Sequence, residues 1–142
     1  MNDSSKPITG IHAYVLPYIE SMGDLSGKTV LDIPSGDGRA SIAFKKQGAS
    51  IISLDIFPRE NKPYTSEYGD MSAELNIDDK TVDIIICQEG IEHVSDQYKL
   101  LKEFNRILKK GGELIITTPN ISNIRSKVSS LFTESDMWKR MP

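Results

Sequence analysis

The sequence predicts an α/β domain in which a parallel β-sheet carries helices on both faces. Short apolar runs at 28–33, 50–55, 82–87 and 113–118 are rich in β-branched residues and show no regular polar alternation. Such runs are typical of strands buried on both faces of a parallel sheet. Segments with helical periodicity alternate with these strands, and that order favours right-handed crossovers that place helices on both sides of the sheet.

Three helices are predicted from apolar residues at helical spacing. The first spans residues 11–22, and Pro17 predicts a kink or a break within it. The second spans 39–47. The third carries its apolar face from Leu100 onwards, and it is expected to end at Gly111 and Gly112 after a last turn that contains Lys109 and Lys110.

The rest of the chain shows weaker signals. A short third strand is expected near 64–68, and an amphipathic helix is expected from Asn120. Residues 1–9 are interpreted as a flexible tail and 133–142 as a loose end of one single domain, since 142 residues supply one core.

Composition narrows the classes of function. There are 17 basic and 20 acidic residues, a formal net charge of −3 and no basic cluster, so a nucleic-acid partner is not expected. Cys87 is the only cysteine and lies in an apolar run, which favours a buried inert thiol, and we expect no metal site. Neither a signal peptide nor a membrane-spanning stretch is evident, so a cytoplasmic location without a membrane partner is expected.

Polar residues stand at the ends of the predicted strands. Asp32, Asp55 and Gln88 end or directly follow three of them, and Asp70 follows the weak third strand. Ligands of open parallel sheets bind at the carboxyl ends of the strands. The sequence therefore predicts a nucleotide-like ligand at this rim.

A glycine turn follows the first strand. Gly36 and Gly38 allow the backbone to turn sharply and to approach a ligand closely. Asp55 lies about twenty residues on, where a carboxylate can accept hydrogen bonds from a ribose diol. An ordinary turn and a solvated aspartate are the alternative interpretations.

Four segments together resemble the class I S-adenosylmethionine-dependent methyltransferases, in correct order across about residues 28–125. Residues 30–38 resemble the family's first motif, 69–83 its adenine-contacting acid, and 88–94 its post-strand segment ending in Glu-His-Val. Residues 106–120 are similar to its last helix, glycine pair and fifth strand. The subgroup most like this chain contains ubiquinone-pathway O-methyltransferases and methyltransferases of small molecules or surface sugars.

The resemblance implies a Rossmann-like, doubly wound sheet of order 3-2-1-4-5, here without the family's C-terminal antiparallel hairpin. It also implies residues for each part of the cofactor: Asp32, Ser35, Gly36 and Gly38 around the methionine part, Asp55 at the ribose, and Ile56, Asp70 and Met71 at the adenine. The Gln88 carbonyl would face the methionine ammonium, and Glu89 would line the same mouth. The family usually has glycine where this chain has Pro34, so the geometry of the loop is expected to differ there.

The implied reaction transfers a methyl group from S-adenosylmethionine to a small-molecule acceptor, at oxygen, and leaves S-adenosylhomocysteine. In-line positioning supplies much of the acceleration. His93 is the candidate general base because its ordinary pKa lies near neutrality, and Glu92 is a second choice. A histidine here could instead brace the loop of the pocket.

Two other functions stay open. A nicotinamide-dependent oxidoreductase is disfavoured because Ser41 stands where its fingerprint has a third glycine. A non-catalytic module that binds the cofactor, or a truncated partner subunit, is the other alternative. Without the hairpin, the fifth strand would be an exposed apolar edge, so we expect a homodimer through that edge.

Overall fold

The computed structural model describes residues 10–60 and 64–119. The predicted tail (1–9), the helix expected from Asn120 and the loose end (133–142) lie outside the described residues. The elements follow one another as α1 (His12–Ser21), β1 (Thr29–Asp32), α2 (Arg39–Lys46), β2 (Ser50–Asp55), β3 (Glu67–Tyr68), β4 (Val82–Gln88), a 3₁₀ turn (Ile91–His93), α3 (Gln97–Ile107) and β5 (Leu108–Thr117).

The five strands form one parallel sheet in the order β3-β2-β1-β4-β5, which confirms the predicted fold. β1 lies at the centre, with Asp32 opposite Ser53 of β2 and Ile86 of β4. The order reverses direction at β1, which is the switch point where such sheets bind ligands.

The sheet has a core on each face because successive strand residues point to opposite sides. On one face, Val30 and Ile86 pack with Phe44 of α2 and Ile19 of α1. On the other face, residues of β1 and β4 pack with Phe104 and the rest of the apolar side of α3. Helices therefore cover both faces, as the sequence predicted.

The predicted break in the first helix is absent, since α1 runs unbroken through Pro17. Pro17 and Ala13 lie on the exposed side of the helix, so water can satisfy the Ala13 carbonyl that lacks its intrahelical donor. Val15 and Ile19 anchor the opposite side in the core.

The predicted end of the third helix is wrong. α3 ends at Ile107, and Leu108 is already extended and pairs with Val82. The backbone N–H groups of Lys80 and Thr81 donate to the last carbonyls of α3, at 2.9 and 3.0 Å, so the chain just before β4 satisfies the end of the helix.

The residues expected in the last helical turn instead form an irregular start of β5. The pairing of β4 with β5 shifts register between Val82 and Ile84, where a bulge in β5 carries the lysines and glycines. Lys109 donates to Asp83 at 2.9 Å rather than facing the helix end, and Gly111 adopts a φ of 79°. Long-range pairing with Asp83 thus overrides the local helix-ending pattern.

Candidate functional site

The carboxyl ends of four neighbouring strands bring the predicted polar residues to one rim. Asp32, Asp55 and Gln88 are the last residues of β1, β2 and β4, and Asp70 follows β3 after one intervening residue. With strands in the observed order, the rim runs Asp70, Asp55, Asp32 and Gln88 across the sheet.

Asp55 joins the glycine turn to the end of β2. Its carboxylate is 8% exposed and accepts two backbone hydrogen bonds, from Gly36 to Oδ2 and from Phe57 to Oδ1, both at 2.9 Å. Gly36 has a φ of 53°, a left-handed conformation that glycine adopts without steric cost. Each carboxylate oxygen keeps a second lone pair, so Asp55 is fixed in place and can still accept from a ligand.

Tyr64 packs against the glycine turn and supports it. It is buried, its hydroxyl donates to Ser35 Oγ, and its ring lies against Gly38, where a Cβ would overlap the ring. Gly38 also has a φ of 79°. The sequence pattern gives no sign of this contact, because a glycine turn indicates a close approach but does not identify the contacting residue, which lies 26 positions from Gly38.

A cleft of about 390 Å³ lies along the rim between the ends of β1 and β3 and the segment after β4. The predicted residues Ile56, Asp70, Met71 and His93 line it together with Pro34. Ile56 is half exposed at 50%, so the cleft has an apolar wall that a flat ring could cover.

Asp70 presents a carboxylate to this cleft. Its Oδ1 accepts from the hydroxyl of Ser72 at 2.6 Å and from the Ser72 N–H at 2.8 Å. These bonds hold the pKa of Asp70 below its usual value, so the group is ionised at neutral pH. Met71 next to it lies with its sulfur 3.9 Å from the buried Cys87 thiol.

Pro34, the departure from the family pattern, fits against the segment after β4. A Cβ on Gly90 would come within 2.9 Å of Pro34 Cγ and 3.1 Å of Met71 Cε. The segment after β4 is therefore packed tightly against Pro34, and there is no room for a side chain at Gly90.

Asp32 is fully buried at the end of β1. Ser41 Oγ donates to its Oδ2 at 2.6 Å, and Ser41 also shares a hydrogen bond with Ser53 at 2.7 Å. Burial, and to a smaller extent the charges of Asp37 and Asp55, raise the pKa of Asp32 to about 7 against the opposing effect of the Ser41 hydrogen bonds. Asp32 thus titrates near neutrality, which sequence reasoning had not anticipated.

Three buried oxygen atoms at this rim lack a hydrogen-bond partner among the described residues: Asp32 Oδ1, Gln88 Oε1 and Thr117 Oγ1. They share one face of the sheet, since Asp32 pairs with Ile86, which lies two residues before Gln88, and Gln88 pairs with Thr117. A buried polar group without a partner is costly, so such a cluster is suited to a ligand that donates hydrogen bonds.

The remaining predicted residues follow β4. Glu89 is exposed and has a φ of 47°, and its N–H donates to the Thr117 carbonyl at 2.9 Å. The His93 side chain is 77% exposed, and its Nε2 lies 4.0 Å from Glu92 Oε1. This pair is thus open to solvent at the mouth of the cleft.

With this geometry in hand, comparison with known proteins identifies the family. A family described as "Methyltransferase domain" matches residues 9–141. The chain belongs to this methyltransferase family. This match confirms the predicted methyltransferase family and argues against a nicotinamide-dependent oxidoreductase.

Curated relatives of this methyltransferase domain include two bacterial proteins named ubiquinone biosynthesis O-methyltransferase. The alignment with the one from Aliivibrio fischeri (strain ATCC 700601 / ES114) is 152 residues long and shows 30% identity. It covers 96% of this chain and 63% of the relative. The one from Coxiella burnetii (strain RSA 493 / Nine Mile phase I) is 34% identical over 125 residues, 81% of this chain and 53% of the relative. The chain therefore spans only part of the length of these relatives.

Solved structures share the fold. A protein of Anabaena variabilis ATCC 29413, ascribed as a methyltransferase to an antibiotic biosynthesis pathway, aligns with a TM-score of 0.67 at 23% identity over 90% of this chain and 55% of that one. A SAM-dependent methyltransferase from Aquifex aeolicus aligns with a TM-score of 0.60 at 18% identity over 87% and 78%. Within residues 10–60 and 64–119, no helix is long and apolar enough to cross a bilayer.

Proposed function

We propose that this chain binds S-adenosylmethionine along its sheet rim and transfers the methyl group to an oxygen of a small-molecule acceptor. The observation that carries the proposal is the sequence of chemically distinct groups along one edge. Asp55 offers acceptors for a diol, and the cleft beside Asp70 offers an apolar wall with a carboxylate. Asp32 and Gln88 offer acceptors that lack a partner among the described residues. A nucleoside joined to an amino acid requires all three.

The nucleoside end of the cofactor is assigned to the cleft. Ile56 and Met71 supply apolar surface for the adenine, and Asp70 keeps an oxygen for the exocyclic amino group because Ser72 occupies only Oδ1. Asp55 accepts from the ribose hydroxyls while the Gly36 and Phe57 amides hold it in place.

The amino-acid end is assigned to the buried oxygens. An ammonium group carries three N–H donors, and Asp32 Oδ1 and Gln88 Oε1 are acceptors without partners among the described residues. Ser35, Gly36 and Gly38 belong to the turn after β1, and Glu89, exposed directly after β4, is proposed to line the mouth of the site. When bound, the cofactor supplies a methyl group on a sulfonium, so the protein's task is to bind, orient and exclude water.

An oxygen acceptor is supported by the names of the relatives, both O-methyltransferases. A hydroxyl acceptor benefits from a base, and His93 is the proposed base, with Glu92 as the second choice. If His93 takes the proton, His93→Gln lowers kcat at neutral pH about a hundredfold and removes the acidic limb of the pH profile. An unchanged kcat with weaker cofactor binding would instead mean that His93 braces the loop.

A thermal-shift assay distinguishes binding of S-adenosylhomocysteine from binding of NAD. S-adenosylhomocysteine at a hundred times its Kd is expected to stabilise the protein by about 2.7 kcal/mol, and NAD by nothing measurable. Equal shifts, or none with S-adenosylhomocysteine, would contradict the proposal. Binding without methyl transfer to any phenolic or other hydroxyl acceptor would favour the alternative of a non-catalytic module.

We also propose a homodimer formed through β5. This strand lies at one edge of the sheet among the described residues, and Leu114, Ile115 and Ile116 are only half-buried there. Such edges pair readily with another chain. A monomer mass that stays constant over a hundredfold range of concentration would overturn this assignment. The cytoplasmic location stays a prediction.

A further inference from the structure

Two serines form a hydrogen-bonded chain that ends on Asp32. Ser53 lies opposite Asp32 on the neighbouring strand, and Ser41, in the first turn of α2, bridges them. The Ser41 oxygen lies 2.6 Å from Asp32 Oδ2 and 2.7 Å from Ser53 Oγ. Ser41 and Asp32 are only 4% and 0% exposed, so water does not replace these contacts.

The chain gives the carboxylate a defined orientation. A serine hydroxyl has one proton, so Ser41 donates to Asp32 while it accepts from Ser53. Oδ2 is thereby committed to Ser41, and Oδ1 is the buried oxygen that lacks a partner among the described residues. Rotation of the carboxylate would break a short charge-assisted hydrogen bond, which is among the stronger bonds in proteins.

We propose that Ser41 is a positioning residue of the cofactor site, which holds Asp32 so that Oδ1 is presented to the ammonium group of the cofactor. This inference rests on the proposed function and adds a residue that the family resemblance did not assign. Ser41 acts through Asp32 and does not itself contact the ligand. Its contribution is therefore confined to ligands that carry the amino-acid end.

The charges around Asp32 make this contribution depend on pH. Asp37 in the glycine turn and Asp55 on β2 are negative, Cys87 on β4 is a neutral thiol, and His12 on α1 faces Asp37 with 3.6 Å between Nε2 and Oδ2. Burial raises the pKa of Asp32 to about 7.

An ammonium ligand prefers the ionised carboxylate, so its affinity is expected to rise with pH. With a pKa of about 7, the ionised fraction of Asp32 grows from about a tenth at pH 6 to about nine-tenths at pH 8. Affinity for the ligand then rises roughly tenfold across this range. The Ser41 hydrogen bonds favour the ionised form of Asp32, so in a Ser41→Ala variant the increase in affinity is expected at higher pH.

The test compares two ligands by isothermal calorimetry. S-adenosylhomocysteine carries the ammonium, whereas 5′-methylthioadenosine keeps the nucleoside and lacks the amino-acid end. Ser41→Ala is expected to weaken S-adenosylhomocysteine about tenfold at pH 7.5 and to leave methylthioadenosine within twofold. Ser41→Thr keeps the hydroxyl and is expected to retain binding, since a cavity of about 110 Å³ beside Ser41 has room for its methyl group. Ser50→Ala, exposed at the start of β2, is the matched control.

The outcomes separate this inference from the function on which it rests. Failure of the wild type to bind either ligand overturns both, whereas binding of both ligands with no selective loss in Ser41→Ala overturns the role of Ser41 alone. If Ser41→Ala does not fold, Ser53→Ala removes the donor to Ser41 and is expected to act in the same direction with a smaller loss. The wild-type pH profile needs no variant, and a flat profile for S-adenosylhomocysteine between pH 6 and 8 overturns the pH dependence assigned to Asp32.

Discussion

Two glycines of one turn are expected to differ sharply in their tolerance of alanine. Both Gly36 and Gly38 have left-handed backbones, with φ values of 53° and 79°, so each alanine costs about 1–2 kcal/mol of conformational strain. The two positions differ in the space that is available for a side chain. A Cβ on Gly36 meets no atom of residues 10–60 and 64–119 within 4 Å, but a Cβ on Gly38 overlaps the ring of Tyr64. Overpacking adds about 1–3 kcal/mol, so Gly38→Ala should cost roughly 2–5 kcal/mol.

Chemical denaturation followed by circular dichroism measures both variants under identical conditions. Gly38→Ala should lose at least 1 kcal/mol more stability than Gly36→Ala, with an unchanged slope against urea concentration. A double variant with Tyr64→Ala isolates the overlap, because removing the ring should make the combined loss smaller than the sum of the single losses. Equal losses for the two glycines, together with an additive double variant, would refute the brace.

Two further predictions concern Asp83, near the end of β4 opposite the rim, and the buried thiol of Cys87. Asp83→Asn should lose about 1 kcal/mol at pH 7, because the Asp83 carboxylate accepts from Thr29 N–H and from Lys109, both at 2.9 Å. The hydrogen bond from Thr29 and, to a smaller extent, Lys109 lower the pKa of Asp83 below its ordinary value of 3.8. The stabilisation by the Asp83 carboxylate is therefore present above about pH 4, and it is lost as the pH falls through the pKa of Asp83 in the folded protein. Urea unfolding at pH 7 and pH 3 checks it, and a loss that is the same at both would contradict it. Burial raises the pKa of the Cys87 thiol to about 11, so a disulfide reagent at pH 8 should react with it only after the protein unfolds. Stoichiometric reaction with the native protein within minutes would contradict the burial of this thiol.

The strands were the most predictable part of the fold because their signal is local. β2 spans residues 50–55 as predicted, and β1 and β4 differ by about one residue at their ends. A continuous apolar run followed by an acid is readable without knowledge of distant contacts. The same property located the rim residues, since each one is defined by the end of its own strand.

What the sequence did not reveal depends on contacts between distant segments. α3 ends at Ile107 because the backbone N–H groups of residues 80 and 81 donate hydrogen bonds to its last carbonyls. Lys109 donates a hydrogen bond to Asp83, which lies 26 residues away in the chain. Tyr64 and Ser41 are ordinary residues in the sequence and gain their roles only from what they meet in the folded chain. Local pattern reasoning has no access to such pairings.

The most direct test of the central claim is calorimetric titration of S-adenosylhomocysteine into the wild type and into Asp55→Ala. The wild type should bind with one site. Loss of charge-assisted hydrogen bonds to the ribose, worth about 2–3 kcal/mol, should weaken binding by roughly 30- to 150-fold, while Glu67→Ala, exposed on β3, should bind as the wild type does. Undiminished binding by Asp55→Ala, or absence of binding by the wild type at millimolar ligand, would contradict a cofactor lying across this rim.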